Sequence, residues 1–143
     1  MPREDQQKMG RIVSSVTIDN VTEKSKSIRC DALVDTGASL MVLPTAWRDR
    51  LGTLDTVRRV ELETATQQVV VADVCGPVKI QLEGFEPIYS EVLFLDMHPH
   101  EGTYDPLIGY IVLEQSQAAV DLVGHRLVHV KHLDLKLFAA ESQ

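Results

Sequence analysis

The chain has 143 residues, 44% of them hydrophobic and 24% charged. That balance supplies enough apolar side chain to build one core of ordinary size and excludes disorder throughout. With 14 Lys and Arg against 21 Asp and Glu, the net charge is −7, which argues against a nucleic-acid-binding face or an electrostatic membrane dock.

Residues 1–10, MPREDQQKMG, are polar and read as a flexible N-terminal arm. They lack the apolar run of a secretory signal, and nothing downstream is long and apolar enough to span a membrane. The expectation is a cytoplasmic protein whose residues 11–143 form a single domain. Cys30 and Cys75 sit among apolar neighbours and read as small buried hydrophobes rather than a disulfide.

From Arg11 the text turns strand-like. Ile12, Val16 and Ile18 alternate with polar residues up to the turn signal Asp19-Asn20. SIRCDALVD then places Ile28, Cys30, Ala32 and Val34 on one face and ends at Asp35-Thr36-Gly37. Leu40 to Leu43 is a short apolar run stopped by Pro44. Thr45 is placed to cap a short helix through Trp47 and Leu51, closed by Gly52. Trp47 reads as a packing residue. Val57, Val60 and Leu62 lead to the polar tip Thr64-Ala65-Thr66-Gln67-Gln68, and Val69 to Val74 return, which predicts a long hairpin. Gly76-Pro77 predicts a turn before a further strand, and Gly84 to Pro87 another. IYSEVLFLD alternates, Met97 to Pro106 is a loop, and Leu107-Ile108-Gly109 precedes about two helical turns, Tyr110 to Gln117. AAVDL and RLVHV predict a closing pair of strands. Residues 132–143 have mixed character, with room for one more strand. Many short strands and one or two short helices indicate an all-β domain, closed or partly closed.

No GxSxG, HExxH, CxxC, phosphate-cradling loop or dinucleotide fingerprint is present. The histidines, His98, His100, His125, His129 and His132, do not converge on a ligand pattern, so no metal and no cofactor are expected. Ser39 follows the Asp-Thr-Gly turn without an activating base in register. In ALVDTGASLMVLP, Asp, Thr, Gly and Ser are all turn formers, so a strand ending in a polar turn is one reading. The other is chemical. Asp35 lies between two apolar runs, Ala32 to Val34 and Leu40 to Leu43, the shielded setting in which general acids and bases are made.

Leu33-Val34-Asp35-Thr36-Gly37-Ala38-Ser39 resembles the active-site motif of the retropepsin-like aspartic proteases, with Ala38 matching the retroviral form. Leu107-Ile108-Gly109, followed by YIVLEQ, resembles the family's second motif, two apolar residues and a glycine leading into a helix. AAVDLVGHRLV resembles the stretch after that helix in many cellular members. The resemblance spans roughly residues 11–131. It implies an all-β acid-protease barrel with a flap hairpin and one or two short helices. It implies a homodimeric aspartic endopeptidase in which Asp35 of each protomer holds one water between them and hydrolyses an extended peptide or protein substrate, without a cofactor. Thr36, Gly37, Ala38 and Ser39 would support the active-site loop. Ile108 and Gly109 would pack under it. Thr64 to Gln68, including Ala65, Thr66 and Gln67, would be the flap. Two features depart from the viral pattern. The tip ETATQQ has no glycine, and Ser39 and Tyr110 stand where viral enzymes carry an ion pair. The alternative is a catalytically idle peptide-binding or dimerisation module on the same fold.

Overall fold

A computed structural model describes residues 11–63 and 66–130. The arm at 1–10, the tip residues Thr64 and Ala65 and the expected strand within 132–143 lie outside the described residues.

The strands are β1 (Val13–Asn20), β2 (Ser27–Val34), β3 (Met41–Pro44), β4 (Thr56–Glu63), β5 (Val69–Leu82), β6 (Ile88–Leu95), β7 (Leu107–Ile108), β8 (Ala118–Asp121) and β9 (Arg126–His129). A 3-10 helix covers Thr45–Leu51, and one α-helix, α1, covers Tyr110–Gln115. β1 to β7 form one sheet ordered β1-β2-β7-β3-β6-β5-β4, and β1 also pairs with β5. That extra pairing closes the ring into a barrel and leaves β4 outside it, attached among the described residues to β5 alone. The predicted all-β barrel is what the chain forms.

Alternation explains the inside of the barrel. Val16 and Ile18 of β1, Ile28 and Ala32 of β2, and Val78, Ile80 and Leu82 of β5 all turn into one core with Met41, Leu43, Val92, Phe94 and Ile108. A smaller cluster packs on the opposite side of the same strands: Leu40, Val42, Ala72, Val74 and Leu93, flanked by Val60, Leu62, Leu95 and Leu107. β3 therefore buries both faces, which is why it reads as an unbroken apolar run.

Gly76-Pro77 does not separate two strands as expected. β5 runs through it as a single strand with a register shift between Cys75 and Val78 against β6. The shift has a use. Val74 faces the smaller cluster and Val78 the main core, although four residues apart they would share a face in a regular strand. The bulge switches β5 from one core to the other. A side chain at Gly76 would stand 3.2 Å from the Ser90 carbonyl and the Glu91 backbone, so the crossing favours glycine.

Two other local expectations are corrected. Pro44, not Thr45, occupies the N-cap of the 3-10 helix, and no side chain caps it. The turn signal at Asn20 is a buried anchor. Its amide donates to the Leu51 and Thr53 carbonyls at 2.7 and 2.9 Å, and its oxygen accepts from the Thr22 and Glu23 N–H groups. The Thr22 hydroxyl donates to the same oxygen at 3.0 Å, and these five polar partners offset the cost of burying that amide. Cys75 is buried and Cys30 half-buried, both free. Burial pushes the Cys30 thiol up to about 11. Trp47 packs against the core, meets Tyr104 edge to face at 5.9 Å and carries the Arg50 guanidinium over its ring at 4.8 Å.

Candidate active site

The Asp35 loop is shaped by strands remote in sequence. β2 and β7 pair in parallel, Leu33 with Leu107 and Val34 with Ile108. The ladder continues one step beyond β2, where the Asp35 N–H donates to the Ile108 carbonyl at 3.0 Å. The chain then turns. The Gly37 N–H donates to Asp35 Oδ1 at 2.9 Å, and the Ala38 N–H to the Asp35 carbonyl at 3.1 Å. This is an Asx-type turn, for which Asp and Gly are suited. It holds one carboxylate oxygen of Asp35 on the loop.

The second motif grips the loop from below. Tyr110 and Ile111, at the start of α1, donate their N–H groups to the Ala38 and Ser39 carbonyls at 2.9 and 3.0 Å. The open end of a helix thus spends two of its orphan donors on the loop. Gly109 makes this approach possible. A Cβ there would overlap the Ser39 backbone carbonyl and the Leu40 carbonyl oxygen. Ile108 is fully buried beneath.

The structure brings Asp35, Thr36, Gly37, Ala38, Ser39, Ile108 and Gly109 together. Asp35 and Ala38 are half-buried, while Thr36, Gly37 and Ser39 are exposed. Of the expected flap residues, Thr66, Gln67 and Gln68 lie at the exposed end of the β4–β5 hairpin, with Gln67 in the left-handed region at φ 64°.

Beside the loop lies a cleft of about 260 Å³, lined by Gly37, Ala38 and Ser39 on one side and Leu40, Val42, Leu62, Leu93, Leu95 and Leu107 on the other. Its apolar wall is the outer side of the smaller core. Leu62 on β4 and Leu93 and Leu95 on β6 went unassigned to the site in the sequence reading. Their signal was present, since strands of the smaller cluster bury apolar residues on a face away from the barrel interior. Two larger hollows, of about 340 and 460 Å³, surround the β1–β2 turn and contain no residue of the Asp35 loop. Chemistry rather than size marks the site. Among the described residues, no three His, Cys, Asp or Glu side chains are grouped to hold a metal ion.

An aspartyl-protease family model matches residues 13–112, from the first strand into the helix under the loop. The chain belongs to the aspartyl protease family. Its fold is that of the retropepsin-like members. The EIAV protease, solved in complex with the inhibitor HBY-793, superposes with a TM-score of 0.51 at 23% identity, over 73% of this chain and 86% of that one. No curated protein sequence matches the chain. The aspartyl-protease match includes both motif loops, β4 and β5, so the Asp35 loop, its glycine-lined support and the hairpin all fall within the family's shared region.

Proposed function

We propose that this protein is an aspartic endopeptidase that works as a homodimer, with Asp35 of each protomer supplying half of the catalytic pair. The observation that carries the reading is the Asp35 loop itself. A carboxylate is fixed by its own turn and by the helix below, next to an apolar cleft, in a chain of the aspartyl protease family. One chain supplies one such loop. Thr36 and Gly37 are exposed beside it, where a second copy can meet them about a two-fold axis.

In the paired site two carboxylates share one proton, because two adjacent negative charges repel. The ionised one takes a proton from a water as it attacks the peptide carbonyl. The protonated one donates to that carbonyl oxygen, and a proton is then delivered to the leaving nitrogen. Thr36 would lock the two loops across the dimer, and Gly37 would keep the backbone open beside the substrate. The β4–β5 hairpin would cover the substrate, an extended peptide lying as an added strand. The cleft walled by Leu62, Leu93 and Leu95 fits a branched aliphatic or aromatic side chain next to the scissile bond.

The test is a paired digestion. Wild type and Asp35→Asn are incubated with a diverse peptide mixture from acid to neutral pH, and products are read by mass spectrometry. Cuts by the wild type alone are expected; cuts surviving Asp35→Asn would overturn the reading. A second reading, a peptide-binding module without turnover, draws on the glycine-free tip sequence ETATQQ. Dimers that bind peptide and leave it uncut would favour it.

A further inference from the structure

The β4–β5 hairpin changes character at Asp73. From Asp73 onward β5 has β6 on one side and first β4, to Cys75, then β1, from Val78, on the other, with Asp73 opposite both Arg59 and Phe94. Towards the tip, Val69 to Ala72 pair, among the described residues, with Val60 to Glu63 alone. A two-stranded ribbon is marginally stable alone. Beyond the Arg59–Asp73–Phe94 row, Val60, Leu62 and Ala72 are held by side-chain packing on the smaller core and by no third strand among the described residues, so the row is where support of this hairpin arm by the sheet ends. Bending of the arm concentrates there.

Arg48, from the 3-10 helix, sits on that row. Its guanidinium donates to Asp73 Oδ2 at 2.9 Å and to Thr56 Oγ1, at the start of β4, at 3.0 Å. It lies 5.4 Å over the Phe94 ring. The other Asp73 oxygen accepts from Arg59 Nε at 3.0 Å. One side chain therefore touches all three strands at the pivot, from the face opposite the apolar cleft. The Arg48 and Asp73 side chains are 30% and 22% exposed, which shields the pair from screening more than an open surface pair. A planar fork suits this use, since it bonds two strands while stacking on a ring, which an ammonium cannot do.

We propose that Arg48 is a positioning residue for the hairpin: it latches the pivot at Asp73 and so sets the angle at which the arm, with Val60, Leu62 and Val70 on its inner side, lies over the cleft. The proposal rests on reading the cleft as the substrate site. Without the latch, the arm samples more orientations and covering a substrate costs more ordering. The step after covering is unaffected.

The experiment compares wild type with Arg48→Met, which keeps the stem and removes the fork, and Arg48→Lys, which keeps the charge. Hydrogen exchange is followed on peptides from 59–63 and 69–72, with the β1–β2 hairpin as internal reference, alongside steady-state cleavage of a peptide substrate. In Arg48→Met, exchange in the arm is expected to quicken roughly fivefold, the size of one partly shielded ion pair. The β1–β2 hairpin should be unchanged, and KM should rise by a similar factor at constant kcat. Arg48→Lys should fall between. Unchanged exchange in the arm, or equal quickening in β1–β2, would overturn the latch, as would a fall in kcat at constant KM. If Arg48→Met does not fold, Arg48→Lys against wild type decides by the same exchange readout. A wild type that cleaves nothing counts against the protease reading, while the exchange comparison still decides the latch.

Discussion

Asp35 has its amide tied to Ile108 and one carboxylate oxygen tied to Gly37 before any partner or substrate arrives. Under the proposed mechanism little reorganisation would be left for the reaction to drive, which is what a preorganised acid–base group requires. Replacing it by Asn keeps the turn's oxygen acceptor while removing the charge. The expected outcome is a dimer of unchanged mass and thermal midpoint with cleavage reduced by at least about a thousandfold, as when a residue of an interdependent catalytic unit is lost. Cys30 gives an independent residue-scale check. Burial raises its thiol from 9.0 to about 11, so at pH 8 it should alkylate far more slowly than a free thiol in denaturant. Because the folded value is the raised one, this group leaves stability untouched below about pH 9. It then erodes stability between pH 9 and about 11, where the unfolded chain releases the proton first. A chemical-denaturation series across that range, with Cys30→Val as the control, should show the wild type losing stability more steeply. Asp35, Thr36 and Gly37 were legible in the sequence because their types and order are the chemistry. Arg48 and Asp73 were not, since their meaning comes from a pivot where β6 stops, and no residue pattern announces where a neighbouring strand ends.

At the scale of elements, the join between β7 and α1 carries the site. Gly109 is there because the helix start must press against the Ser39 backbone. Gly109→Ala is expected to cost about 1–3 kcal/mol, the usual penalty of forced overpacking, and to displace the Asp35 loop. Urea denaturation would give the first, and loss of cleavage at temperatures where the variant is folded would give the second. The β8–β9 turn makes a smaller prediction. The Gly124 N–H and the Val123 N–H both donate to Asp121, and Arg126 stands beside it, which together hold its carboxyl below 3.8. A depressed carboxyl contributes stability above its unfolded value, lost as the pH falls through the folded one. Protection of β8–β9 amides, taken relative to the intrinsic exchange rate at each pH, should therefore fall below about pH 4 in the wild type and be less pH-dependent in Asp121→Asn. The elements themselves were largely readable, because inward apolar residues alternate with polar ones in β1 and β2, while β6 ends in an apolar run, Val92 to Phe94, that buries both faces rather than alternating as expected. The division at Gly76-Pro77 was misread for a physical reason: a bulge and a turn use the same residues, and only the partner strand distinguishes them. The helix cap at Thr45 failed likewise, since the Pro44 position starts the 3-10 helix without a side-chain bond.

For the whole molecule, the proposed catalytic pair, made from two copies, would couple chemistry to assembly. Specific activity should fall on dilution through the dimer dissociation range, in step with the mass measured by sedimentation. Excess Asp35→Asn mixed into wild type should suppress activity by forming mixed pairs, whereas independent monomers would be unaffected. The ring also has consequences for how the protein comes to exist. The strand that supports Asp35 is not its neighbour in the chain: Leu33 and Val34 are completed by Leu107 and Ile108, inserted between β2 and β3. A polypeptide emerging from the ribosome passes its aspartate into solution long before the residues that shape the loop have been made. Through most of its synthesis it carries Asp35 without the strand that shapes the loop, and a fragment ending before β7 lacks the Leu107 and Ile108 partners of Leu33 and Val34.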